Sequence, residues 1–158
     1  MFFAESRADL PSRDEILSMS GFEFMRGILD GKISGAPIAQ TLGFQLHAVE
    51  DGLVTYRGTP AFAHMNPVGT IHGGWYATIL DSALACAVMT KVPKGSVYTT
   101  LELKLNIVRA IPEGCEVDCT GTIQHAGRST GISNGDIRSV ADGTLFATAS
   151  TTCMIMTP

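Results

Sequence analysis

Asn66-Pro-Val-Gly-Thr-Ile-His-Gly-Gly-Trp-Tyr-Ala-Thr-Ile-Leu-Asp-Ser-Ala-Leu-Ala-Cys-Ala-Val-Met89 is the stretch whose reading decides the fold. From Trp75 to Met89 its apolar residues (Ile79, Leu80, Leu84, Ala85, Ala87, Val88) point in nearly every direction of a 3.6-residue period. A helix with no polar face is expected to be buried on all sides. It follows a long loop over 60–72 and starts at Gly73-Gly74; Asp81 is the only charge between Trp75 and Thr90.

Downstream, past Pro93 and Gly95, the period changes to two. Leu101, Leu103, Leu105 and Ile107 take one face and Glu102, Lys104 and Asn106 the other, as in a half-buried strand. Cys115, Val117, Cys119 and Ile123 alternate with polar residues in the same way. Ile132 to Val140 reads as a strand whose parity shifts at Gly135, suggesting a bulge there. An Asp142-Gly143 turn then leads into a last strand over Leu145 to Met156. Upstream, Leu42 to Val49 and Leu53 to Thr59 flank an Asp51-Gly52 hairpin turn. Residues 32–41 read as a connector. Ser12 to Glu15 fits a capping box that opens one helix running to Leu29, with Gly21 in its middle and Gly31 as its stop. This order describes one α+β domain, an antiparallel sheet wrapped around a single central helix. Residues 1–35 form a helical extension and 36–158 the domain proper.

Composition narrows the function classes. The 158 residues are 45% hydrophobic and 16% charged, with a net charge of −4. Such a chain buries a core and presents no basic patch for nucleic acid or anionic membrane surfaces. No apolar run reaches the ~18 residues of a membrane span, and the first residues lack the basic flank of a signal peptide. Cys86, Cys115, Cys119 and Cys153 are too sparse for a disulfide framework. Cys115 and Cys119 lie ~13 Å apart along a strand, too far to bridge or to share a metal. Small buried thiols in a reducing cytoplasm are the expectation.

Familiar catalytic signatures fail on context. Gly127-Arg-Ser-Thr-Gly131 fits the nucleophile-elbow pattern, but a strand-like stretch follows it where that motif needs a helix, so it reads as a hairpin turn. His47, His64, His72 and His125 lack the spacing of a zinc helix, and no metal is expected. What remains is the loop-to-helix segment. Gly73 and Gly74 let a ligand approach backbone amides at the positive end of a helix dipole, or else form a tight corner. Asp81 on a buried helix needs either a partner or a task such as activating water. Eight helical residues, ~12 Å, separate Gly73 from Asp81. One copy therefore cannot present both groups to the same carbonyl, whereas two antiparallel copies can, and a catalytic motif here requires a site shared across a dimer. Asn66 either donates to a carbonyl or forms the turn; His72 either serves the site or holds the loop. By strand parity Thr99 faces inward, able to hold a water beside Asp81, and Thr100 faces out.

His72-Gly73-Gly74 with Asn66 seven residues before Gly73 and Asp81 eight after it resembles the signature of the hotdog-fold acyl-CoA thioesterases, most of all the phenylacetate-pathway branch. Leu42-Gly43-Phe44 and the strand order agree over about residues 36–156. The resemblance implies a six-stranded antiparallel sheet around the helix, homodimers that often pair into homotetramers, and an acyl-CoA substrate without further cofactor. It implies that Gly73, with Asn66 nearby, polarises the thioester carbonyl. Asp81 of the other subunit then acts as base or nucleophile, and Thr99 holds the water. By similarity, coenzyme A runs near Gly74 and the Arg128-Ser129-Thr130 turn. Two competing readings stand beside hydrolysis. One is a hydratase or dehydratase on the same fold, which pairs a histidine with a carboxylate in a different loop arrangement. The other is a non-catalytic acyl-CoA sensor, which needs a DNA-binding unit larger than the first ~40 residues provide.

Overall fold

The computed structural model describes residues 2–158. Two adjacent helices, α1 (Arg13–Leu17) and α2 (Gly21–Leu29), precede a short α3 (Pro37–Thr41). The hairpin β1 (Phe44–Glu50) and β2 (Leu53–Gly58) follows, then the long helix α4 (Gly73–Met89). Four strands complete the chain: β3 (Val97–Ile107), β4 (Val117–Ala126), β5 (Thr130–Ser139) and β6 (Leu145–Met156). All six strands join one antiparallel sheet in the order β1-β2-β4-β5-β6-β3, curled around α4. No helix among the described residues is long and apolar enough to cross a membrane.

The expected single first helix is two. Ser20 starts α2 with a full capping box: its hydroxyl accepts from the Glu23 amide, and the Glu23 carboxylate accepts from the Ser20 amide. A serine offering those bonds competes with continuation of α1. Gly21 is needed for contact rather than flexibility, since a Cβ there would lie 1.8 Å from the Met89 carbonyl oxygen. The connector over 32–41 holds α3, with Pro37 at its first turn.

Close packing also explains Gly135. The β4–β5 register runs straight through Gly121 and Gly135, which pair with each other, so no bulge lies there. Instead, a Cβ on Gly121 would sit 2.4 Å from the Ala83 carbonyl oxygen, and one on Gly135 2.6 Å from Leu84 Cδ1. Two facing glycines let α4 lie almost on the sheet backbone. The irregularities fall elsewhere, including Ile123/His125 in β4 and Thr100/Glu102 in β3.

Helix α4 is not covered on all sides. Ile79, Leu80, Ala83, Leu84, Ala87 and Val88 are fully buried, but Ala77, Thr78, Asp81 and Ser82 form a half-exposed strip. The sheet ends on this side at β3, and no further strand among the described residues reaches that strip.

Candidate active site

The two glycine amides at the start of α4 differ. His72 is the N-cap, and its Nδ1 accepts the Gly74 N–H at 2.8 Å. Gly74 is therefore occupied as a donor, and a Cβ on it would press to 3.0 Å from that same nitrogen. Gly73, at the first helical position, has no acceptor within its own helix and donates to no group among the described residues. One free, exposed amide carrying the positive end of a 17-residue helix is thus what the motif presents.

The preceding loop is organised by Asn66. Its Oδ1 accepts from the Val68 and Thr70 amides and its Nδ2 donates to Thr70 Oγ1 at 2.8 Å, leaving one amide hydrogen unused. A bridge between Met65 and Ile71 closes this turn, with Gly69 at φ +80. A cleft of about 350 Å³ opens beside the helix start, lined by His64, Met65, His72, Gly74 and Trp75 among others. His64, not singled out by sequence, holds the loop: its carbonyl accepts the His72 amide and its ring lies 6.4 Å from Trp75.

Asp81 is half-buried on the uncovered strip. It makes no ion pair among the described residues, and Thr100 Oγ1 donates to its Oδ1 at 3.0 Å. This corrects the strand parity. Leu101 is the extra residue between Thr100, which faces Cys153, and Glu102, which faces Thr152. That bulge turns Thr100 inward and leaves Thr99 exposed. The hydroxyl beside Asp81 belongs to Thr100.

Arg128, Ser129 and Thr130 do form a hairpin turn, closed by Gly127 N–H to the Thr130 carbonyl. Gly131, next to it, packs on Val88 near the far end of α4, 15 residues and ~22 Å from Gly73 of the same chain. All four cysteines are free. Burial pushes the Cys86 thiol up to about 11, so it is a neutral group near pH 7 and not a nucleophile.

Known proteins share this fold. The profile of the thioesterase superfamily matches residues 68–146, half of the chain. A phenylacetic acid degradation-related protein of Ralstonia eutropha JMP134 shares 29% identity over 83% of this chain and 98% of its own, with a TM-score of 0.75. The phenylacetic acid degradation protein of Thermus thermophilus shares the fold at 24% identity, covering 75% of this chain and 97% of its own, TM-score 0.68. A Streptococcus mutans UA159 protein bound to acetyl CoA does so at 21% identity over 73% and 90%, TM-score 0.66. No curated protein matches the chain. Helix, sheet order and matched segment together make this chain a member of the thioesterase superfamily, a hotdog-fold thioester hydrolase.

Proposed function

We propose that the protein hydrolyses an acyl-CoA thioester to the free acid and CoA in a site completed by a second copy of the chain. A relative that binds acetyl CoA supports the substrate class. The carrying observation is the run of α4 against β3. A Cβ on Gly73 would touch Ile107 Cδ1 at 3.8 Å, while Asp81 accepts from Thr100, so the two elements are antiparallel. β3 is also a sheet edge, with one side unpaired and with Leu101 and Ile107 exposed, as is Val108 just beyond its end. An open edge of this length and apolarity is a template for another strand.

Two β3 strands paired antiparallel about a two-fold at Lys104 keep both helices on one face and bring Ile107 opposite the partner's bulge at Leu101, beside Thr100. Each Gly73 amide then faces the partner's Asp81 across the seam, spanning the ~12 Å that separates the two groups within one helix. The half-exposed strip of α4 is covered in the same step.

The chemistry follows. The Gly73 N–H, with the spare Asn66 amide hydrogen nearby, donates to the thioester oxygen and stabilises it as it becomes an oxyanion. The partner's Thr100 spends its hydrogen on Asp81 Oδ1, fixing the carboxylate, and its oxygen accepts a hydrogen bond from the attacking water. Asp81 Oδ2 takes the proton as the water oxygen bonds to the carbonyl carbon. The C–S bond then breaks, and CoA leaves as the thiol with that proton. His72 keeps the helix start in shape by holding Gly74. The partner's Arg128-Ser129-Thr130 hairpin, at the Met89 end of its helix, lies on the Gly73 side of the seam and supplies a cation and hydroxyls for CoA phosphates.

Thiol release from acyl-CoA by the purified protein tests this reading. Thr100→Val keeps the shape but loses the hydrogen bond to a carboxylate, so kcat falls ~10–100-fold. Thr99→Val stays within about twofold of wild type, since an exposed surface position rarely matters. A large effect at Thr99 and none at Thr100 would remove Thr100 from the mechanism.

A further inference from the structure

We infer that the segment before the sheet is a wall of the acyl pocket, and that the apolar cavity beneath it takes an acyl tail of medium length. The inference rests on the hydrolase reading above and adds the substrate's size class. The cavity, about 240 Å³, lies between α2, α3, the β1–β2 hairpin and the second half of α4. Leu10, Phe24, Met25 and Ile28 close it on the N-terminal side, with Ala39 from α3. Protein interiors hold few voids larger than one water, so a space of this volume walled by aromatic and thioether groups calls for an occupant.

Its position relative to the reacting groups supplies the occupant. Cys86 and Tyr98 both line the cavity. Cys86 lies five residues beyond Asp81 on α4, ~7.5 Å along the axis. Tyr98 lies two residues before Thr100 on the same face of β3, ~7 Å away. Asp81 and Thr100 are not in the wall themselves; the pair stands beside the cavity, about one and a half helical turns from Cys86 and two strand residues from Tyr98. The Asp81 charge reaches both groups, adding to the burial that raises the Cys86 thiol and the Tyr98 hydroxyl. Tyr56 Oη and Cys86 Sγ are 3.4 Å apart, and Ser34 Oγ donates to the Asp9 carbonyl. What faces the interior is therefore mainly apolar.

Volume sets the length. An apolar cavity of ~150 Å³ accepts benzene, so one of about 240 Å³ accepts roughly nine carbons. A carbonyl held at Asp81, outside the cavity, with about nine tail carbons in this space describes an acyl group of about ten to twelve carbons.

The test is a series of straight-chain acyl-CoAs from two to sixteen carbons, scored by kcat/KM for the wild type and two variants. Wild-type kcat/KM rises about fourfold per added methylene until the cavity is full, then stops rising. Ala39→Leu fills the cavity and moves the optimum about two to three carbons shorter; Phe24→Ala opens it from the N-terminal side and moves the optimum longer. General destabilisation cannot move the optimum in opposite directions, and either variant that folds decides the point. Hydrolysis with an unmoved optimum, or with both optima moving the same way, overturns the pocket while leaving the hydrolase reading intact. Hydrolysis of no acyl-CoA at all overturns both.

Discussion

Gly73→Pro will lower kcat/KM for thioester hydrolysis by ~10²–10³-fold while leaving the fold in place. Proline deletes one backbone N–H and little else here. Gly73 is the first residue of α4, the helical position that proline tolerates best, because the amide there has no partner to lose. The residue before it, His72, has φ −65 and ψ 140, the extended conformation that a following proline requires. Space is available, since the nearest atom to an added Cβ is Ile107 Cδ1 at 3.8 Å. Gly73→Ala, which keeps the amide, is the control and retains most activity. Steady-state kinetics beside thermal unfolding separates the two effects. A proline variant that is stable and fully active would remove the Gly73 amide from the chemistry.

Asp81→Asn is expected to lower kcat by ~10²–10⁴-fold, the range for loss of a general base. Asparagine keeps the shape, and its oxygen still accepts from Thr100, but it cannot take a proton from water. No ion pair among the described residues depends on the Asp81 charge, so the variant remains folded. Asp81→Ala should fail in the same way. Thiol release at near wild-type turnover from either variant would overturn the role assigned to Asp81.

Much of this architecture is legible in the chain. The predominant apolarity from Trp75 to Met89 marks the central helix, and period-two runs mark β3 and β4, because burial imposes those patterns directly. The last strand begins and ends where its alternation does, at Leu145 and Met156. Bulges are different. One extra residue at Leu101 reverses every side chain beyond it, and nothing in Tyr98-Thr-Thr-Leu-Glu102 announces which residue is extra. That is why the hydroxyl beside Asp81 is Thr100 and not Thr99. Gly135 misleads for a related reason: a glycine in a strand signals either a bulge or a close approach, and only the Leu84 contact distinguishes them. The open strip on α4 leaves only a faint mark in sequence: Thr78 and Ser82 turn their hydroxyls back onto the Gly74 and Thr78 carbonyls, Ala77 is apolar, and Asp81 alone breaks the pattern with a charge. His64 carries no periodic signal at all; its place beside Trp75 depends on how the 60–72 loop folds back.

The central claim is that each site draws its amide from one copy and its carboxylate from the other. Mixed dimers test it, built from one subunit carrying Gly73→Pro and another carrying Asp81→Asn, purified with two different tags. With shared sites, one site of the mixed dimer holds both substitutions and the other holds neither, so about half of wild-type activity returns. With sites confined to single subunits, each site keeps one defect and the mixed dimer stays as inactive as its parents, which would contradict the account.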